Sequence, residues 1–485
     1  LRRDARPNRY ALSGSIAPFR EGALGLSKNR GRRMSGETAR RAPEKMIALD
    51  RFFGISARGS SVRTEILAGA TTFVAMAYII MVNPAILSDA GLPVAAVAVA
   101  TCITAGLATL AMGLVANVPL ALAPGMGLNA YFTYTVVQQM GVPWPVALGC
   151  VFLSGAIFLL LTVAGIRQMI IAAIPVHLFA AVAGGIGLFI AFIGLKNAGI
   201  VVSNPATFVA VGDLRQPGPA LALFGLVLIA GLNAWRVKGA LLIGIVVTSL
   251  IAWLCGQVSI TPQPYSLGAV AQTAFKLDIA GALGFGGKHG LGLVEIIFVF
   301  LFVDIFDNIG TLVAVTKRAG LVDAAGKIPG LNRILTTDSV ATMAGAMVGT
   351  STVTSYVESA AGVQAGGRTG LASVVTGILF LLAVLVAPYA QLAPAAATAP
   401  ALIIVGGLMM APLAEIDWDD AYTAVPAFLT LIIIPLTFSI ANGLAFGITT
   451  FAALKLLRGQ AKPGDWLLFV LAGLFVARFA WMSAG

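Results

Sequence analysis

From Leu67 onward the chain repeats apolar stretches of about 17–25 residues, the length a helix needs to cross a bilayer. Short polar turns separate them. The chain has 485 residues, 58% hydrophobic and 11% charged, whereas a soluble domain is nearer about a quarter charged. The expected fold class is therefore an all-α polytopic membrane protein lodged in the lipid bilayer. An outer-membrane barrel is excluded, because its short alternating segments are absent.

The formal charge of +11 resembles a nucleic-acid signal until its location is read. Fifteen of the 31 Lys and Arg lie in residues 1–63, before the first span. Most others fall in loops that alternation places on the same side, among them Arg167, Arg236, Lys317, Lys327, Arg368 and Lys455. Only Lys196, Arg215, Lys276 and Lys288 fall in the opposite loops. That asymmetry predicts a cytoplasmic N-terminus in a cell (inner) membrane, and no nucleic-acid partner. Residues 1–48 form a basic, polar segment, read as disordered or as preceding a native start at Met34 or Met46. Cys102, Cys150 and Cys255 share no ligand spacing and His177 and His289 are isolated, so no metal and no cofactor is expected.

Seven spans are expected in each half, about 14 in all, with a polar Gly-rich stretch near 256–290 between the halves. An odd number per half forces opposite orientations, so a repeat would be inverted. In each half the third segment is short and unusual. The first reads ALAPGMGLNAYFTY (121–134) and the second VGTSTVTSYVESAAGV (348–363). Gly and Pro at Ala123–Gly127 predict an extended entry and a helix from about Leu128. Alternating Thr350, Thr352 and Thr354 predict a short β-like stretch, then a helix near Ser355. The third and tenth segments are thus broken, and bare backbone at bilayer depth is tolerated only inside protein or along a cavity. VAGGIGL (182–188) and IVGGLMM (404–410) rhyme as equivalent fifth segments. A last apolar segment, 465–482, is either a further span or an interfacial helix; Arg478, Trp466 and Trp481 favour an interfacial end.

Charged side chains at the bilayer centre cost about 2.5–3.5 kcal/mol each, so the few present are informative. Asp304 and Asp307 lie three apart on the eighth span and share a helix face. Glu358 lies just inside the second half-helix, and Asn129 is its counterpart in the first. All four should converge on a midplane cavity, while Glu295 sits nearer an interface. Asp307, with Asn308 and Thr311, can equally form an internal polar lock. Deep carboxylates accept hydrogen bonds from a planar ligand, and a carboxylate withdrawn from water holds a proton more readily than an exposed one. Without a buried Lys or Arg, a neutral molecule rich in N–H and C=O groups fits better than an anion. Asn129 both donates and accepts, which suits a heterocyclic edge. Phe132, Phe302, Tyr356, Tyr131 and Phe306 offer stacking faces or ordinary packing.

Four stretches resemble the hypoxanthine/guanine/adenine permeases, the azaguanine-resistance branch of the xanthine/uracil permease superfamily. They are residues 49–84, APGMGLNAYFTY (123–134), FVDIFDNIGTLVAVTKRAG (302–320) and GTSTVTSYVESAAGVQAGGRTGL (349–371). The resemblance implies a core domain at 49–165 and 291–389 and a gate domain at 166–290 and 390–460, followed by the apolar segment 461–485. It implies proton-coupled import of a purine base, with H+ as the coupling ion. Substrate contacts are carried over to Asn129, Asp304 and Glu358. Backbone near Gly127, Leu128 and Val357 should also reach the base, and Asp307 and Asn308 serve transport or a supporting network. The span-ten signature differs from xanthine and uracil carriers, which favours the purine branch. A homodimer through the gate helices follows by analogy only.

Overall fold

The computed structural model describes residues 44–165, 175–257, 267–284, 290–323 and 328–482. The basic segment before residue 44, and Arg167, Lys288, His289 and Lys327, lie outside them. The helices in chain order are α1 (Glu44–Phe53), α2 (Val62–Met76), α3 (Ile79–Ser88), α4 (Val94–Ala111), α5 (Met126–Ala130) and α6 (Trp144–Val163). Next come α7 (Val176–Asn197), α8 (Pro217–Ala234), α9 (Ala240–Leu254), the short α10 (Ile279–Ala282), α11 (Gly290–Arg318) and α12 (Leu331–Val348). The last six are α13 (Ser359–Gln364), α14 (Gly370–Ala383), α15 (Ala395–Leu408), α16 (Ala421–Thr437), α17 (Ile440–Leu457) and α18 (Trp466–Met482). Four short strands join them: β1 (Leu122–Pro124), β2 (Val201–Asn204), β3 (Phe208–Val211) and β4 (Val353–Ser355).

Among the described residues, nine helices are long and apolar enough to cross a membrane. Three further apolar helices, α9, α14 and α16, are shorter. The first span is two helices rather than one: α2 ends at Met76, and a turn at Ala77 and Tyr78 leads into α3, which carries Pro84. Ser61 caps the start of α2, its hydroxyl accepting from Thr64 N–H at 3.2 Å. Thr369 and Ser439 cap α14 and α17 in the same way, each satisfying an N–H that the first helical turn leaves without a partner.

Two packing groups are evident. Helices α2–α6 and α11–α14 pack on one another, with α12 against α6 and α14 against both α2 and α4. Helices α7, α8, α9, α15, α16 and α17 form the other group. Small residues set both cores. At the α4–α14 crossing a β-carbon on Gly377 would lie 2.7 Å from the Gly106 carbonyl oxygen. At the α7–α15 crossing a β-carbon on Gly406 would collide with the Gly187 carbonyl. Backbones approach this closely only where side chains are absent, which is the usual adhesion of helices in lipid. The two rhyming GG stretches are therefore partners across one contact.

The broken segments pair. β1 and β4 are antiparallel in the register Leu122–Ser355, Ala123–Thr354, Pro124–Val353. The ladder extends at both ends, with Gly125 N–H donating to Thr352 O at 2.9 Å and Tyr356 N–H to Ala121 O at 3.0 Å. This corrects two expected boundaries. The first half-helix begins at Met126 rather than Leu128, and the second at Ser359 rather than near Ser355. Tyr356 is still committed to the ladder, so the chain cannot coil until two residues later. Glu358 accordingly stands at the N-cap position, not inside the helix. After α5 the backbone continues as a π-helical stretch, Tyr131–Gln139. The hairpin β2–β3, on a loop outside the spans, was not expected.

The C-terminal segment 466–482 is helical, and residues Pro463–Ala480 reach the length and hydropathy of a span. Leu468, Leu471 and Phe475 are buried in the main hydrophobic cluster, and Phe475 packs edge-on to Phe298 of α11 at 5.9 Å. Arg478 does not mark a free interfacial end: it pairs with Glu295 at 2.5 Å and donates to Asn442 Oδ1 at 3.0 Å.

Candidate functional site

The β1–β4 crossing brings α5, α13 and the middle of α11 together. Glu358 is half-buried, and its Oε1 accepts a hydrogen bond from the Tyr78 hydroxyl at 2.7 Å. Asp307 is also half-buried. Its Oδ2 lies 3.6 Å from where a β-carbon on Gly125 would stand, which sets this carboxylate beside the β1–α5 junction; the side chain that such a β-carbon would crowd is that of Thr354, at 2.7 Å. Helix α11, which carries Asp307, packs on β4 and on α13, at whose N-cap Glu358 stands. Val357, between Tyr356 and Glu358, is 53% exposed in a neighbourhood that is otherwise buried. Asp307, Val357 and Glu358 are thus accessible residues beside strands that are themselves buried.

The other expected residues are placed differently. Asp304 is 2% exposed, one turn N-terminal to Asp307. Asn129 is fully buried and spent on protein partners. Its Nδ2 donates to Asn83 Oδ1 at 2.5 Å, and its Oδ1 accepts from the Ser351 hydroxyl. Asn83 in turn donates to Thr101 Oγ1 at 2.7 Å and Thr350 Oγ1 at 3.0 Å. The Asn83 amide thereby fills both N–H groups and its carbonyl, as a buried amide must to offset its lost hydration. Asn308 sits in a second network: Nδ2 donates to Asp338 Oδ2, and Oδ1 accepts from Ser355 Oγ at 2.9 Å. One network ties α3, α4 and α5 to the approach to β4; the other ties α11 and α12 to β4 itself.

Gly127 faces α7, where a β-carbon would run into Ile186. Leu128 and Phe132 are completely buried. The candidate stacking rings face other rings. Phe302 lies between Phe298 at 5.2 Å and Phe306 at 4.8 Å, and Phe306 meets Phe179 of α7 at 4.2 Å. Phe132 faces Phe300 at 6.5 Å, and Tyr131 faces the same ring at 5.2 Å. The Tyr356 hydroxyl donates to the Pro124 carbonyl, which pins the two strands together.

Three residues of this region escaped the sequence reading. Asp338 was as conspicuous as Asp304, a carboxylate within a candidate span, and the same cost argument applies to it. Asn83 stood in Asn-Pro near the end of the first span. Tyr78 carried no signal of its own, because a tyrosine in an apolar stretch is ordinary.

The fold is similar to the transmembrane domain of a cyanobacterial bicarbonate transporter, BicA, with a TM-score of 0.59, 15% identity, and coverage of 79% of this chain and 97% of that one. At this identity the likeness concerns fold alone. Fold and sequence together define a multi-pass membrane permease. The chain belongs to the xanthine/uracil type of the Permease family, whose profile matches residues 63–446. It is 42% identical over 436 residues to the adenine permease AdeP of Escherichia coli, covering 90% of this chain and 97% of that protein. It is also 42% identical over 446 residues to the guanine/hypoxanthine permease PbuG of Bacillus subtilis, covering 89% of this chain and 99% of that protein.

Proposed function

We propose that this protein imports a purine nucleobase, adenine or guanine/hypoxanthine, by proton symport across the cell membrane. The observation that carries the reading is that Glu358 and Asp307, both only partly buried, stand on packed elements at the strand crossing, in a chain 42% identical to adenine and guanine/hypoxanthine permeases. Two carboxylates, neither paired with a Lys or Arg among the described residues, suit a neutral ring that presents N–H groups. They disfavour an anion, so the bicarbonate named for BicA does not transfer with the fold.

In this reading Glu358 and Asp307 accept from the base, and one of them carries the coupled proton. The sequence favoured Asp304 for direct contact; its near-complete burial supports a backing role, with Asp307 in front. Asn129 acts by holding α5, through Asn83 and Ser351, rather than by touching the base. The backbone of Val357 is the main-chain candidate at the crossing. The two packing groups correspond to a core (49–165, 291–389) and a gate (166–290, 390–460) in a seven-plus-seven inverted repeat. The core carries the site past the gate in an elevator-like cycle. The N-terminus is cytoplasmic.

The test is uptake of labelled adenine and hypoxanthine at an acidic and an alkaline pH. The host lacks its own purine permeases, and guanine, xanthine and uracil are competitors. The expected outcome is purine uptake, faster at the lower pH and resistant to uracil. Uptake blocked by uracil but not by purines would overturn the substrate class. Uptake indifferent to pH and to a protonophore would overturn the coupling.

A further inference from the structure

Tyr78 lies in the turn that breaks the first span, between α2 and α3, and is 1% exposed. Its hydroxyl donates to Glu358 Oε1 at 2.7 Å across 280 residues of sequence. The ring is held by the main hydrophobic cluster, so the hydroxyl has little freedom. The neighbouring Tyr356 does not compete for this position, since its own hydroxyl donates to the Pro124 carbonyl. Helix α13 packs directly on α2. The tyrosine and the glutamate therefore belong to one packing group and stay together if that group moves.

A phenol donating to one carboxylate oxygen fixes the plane of the carboxylate and uses up much of that oxygen's accepting capacity. We infer that Tyr78 is a positioning and specificity-determining residue: its hydroxyl engages Glu358 Oε1 and leaves Oε2 as the oxygen that receives a single ring N–H of the transported base. This rests on the purine reading above. Hypoxanthine presents one N–H at the edge of its six-membered ring, and a single oriented oxygen matches it. Guanine presents that N–H beside an exocyclic one, a pair that a carboxylate with both oxygens free would accept together. Removing the Tyr78 hydroxyl therefore weakens hypoxanthine and spares guanine.

The experiment measures labelled hypoxanthine uptake, with unlabelled guanine as competitor, in wild type, Tyr78→Phe, Tyr78→His and Glu358→Gln, with membrane abundance followed in parallel. For Tyr78→Phe the KM for hypoxanthine should rise about tenfold, the loss of one hydrogen bond to a charged group, with maximal rate little changed. Guanine should gain on hypoxanthine by a comparable factor. Tyr78→His, which keeps a donor, should recover part of the wild-type preference. If Tyr78→Phe does not reach the membrane, Tyr78→Leu is measured for the same ratio. Wild-type KM and an unchanged guanine-to-hypoxanthine ratio in the hydroxyl-less variant overturn the inference, as does a fall in maximal rate alone. If that happens while Glu358→Gln abolishes uptake, the purine reading stands and only the role of Tyr78 falls. If wild type transports no purine, both fall.

Discussion

The two broken segments share a plan and divide the work. Each runs from a three-residue strand into a short helix, and each places one polar residue close to where strand becomes helix. In the first, Asn129 is sealed from solvent and its amide is occupied by Asn83 and Ser351. In the second, Glu358 remains half-exposed and is met by the Tyr78 hydroxyl. Pseudo-symmetry of backbone thus does not imply symmetry of chemistry. One half-helix is clamped by buried amide hydrogen bonds, and the other carries a partly exposed carboxylate at its N-cap.

The comparison breaks first at the charged half. Glu358→Gln and Asp307→Asn should each reduce purine uptake by at least about 100-fold, the scale expected when charge-assisted bonds of about 1.5–3 kcal/mol are lost together with the proton site. Membrane abundance should stay near wild type, because neither residue is fully buried. Near-normal uptake in either variant would remove that residue from the site.

The clamped half should show the opposite signature. Asn129→Ala strands Asn83 and Ser351 in a buried setting, a loss of about 2–4 kcal/mol when two partners are left unsatisfied. The expected result is a lower melting temperature and less protein in the membrane, with the KM of the surviving protein within about threefold of wild type, well short of the tenfold that 1.4 kcal/mol of lost contact implies. A KM raised much further at unchanged thermal stability would mean that Asn129 touches the base after all.

Gly127→Ala probes the face that the clamped half-helix turns to α7. The added methyl meets Ile186, and overpacking of this kind costs about 1–3 kcal/mol. Pairing it with Ile186→Ala, which removes the γ-methyl that the new carbon meets, should recover part of the loss in a thermal melt. No recovery would mean that α5 and α7 do not touch there.

Spans, broken segments and the carboxylates of α11 and α13 were legible because each violates or obeys a local rule. Apolar length gives a span, Gly and Pro forbid an early helix, and a charge in an apolar run is costly. What local rules could not supply was partnership. Asn129 and Glu358 looked equivalent, yet their roles are set by Asn83, 46 residues away, and Tyr78, 280 residues away. Likewise Asp304 and Asp307 share a helix face, yet Asp304 is buried and Asp307 only partly so, a difference that packing and not spacing sets. The start of α13 was missed for a related reason: Tyr356 has a long-range backbone partner in Ala121.

The smallest expected effect concerns a pair whose members were each visible in the sequence while their contact was not. Glu295 and Arg478 were both read as residues of a membrane interface, one on α11 and one on the last helix. They meet at 2.5 Å, with side chains only 18% and 14% exposed. Arg478 also donates to Asn442 on α17. An exposed pair contributes about 0–1 kcal/mol, and breaking a fully buried one costs about 3–5 kcal/mol. This pair lies between, so a coupling of about 1–2 kcal/mol is expected in a double-mutant cycle of Glu295→Gln and Arg478→Gln. Arg478→Gln should be the milder single change, since glutamine can still reach Asn442. Glu295→Gln leaves a cation short of a partner in apolar surroundings, beside Phe479. Two single losses that simply add would show that α18 is held by Leu468, Leu471 and Phe475 alone, and that its last turn is no part of the contact with α11.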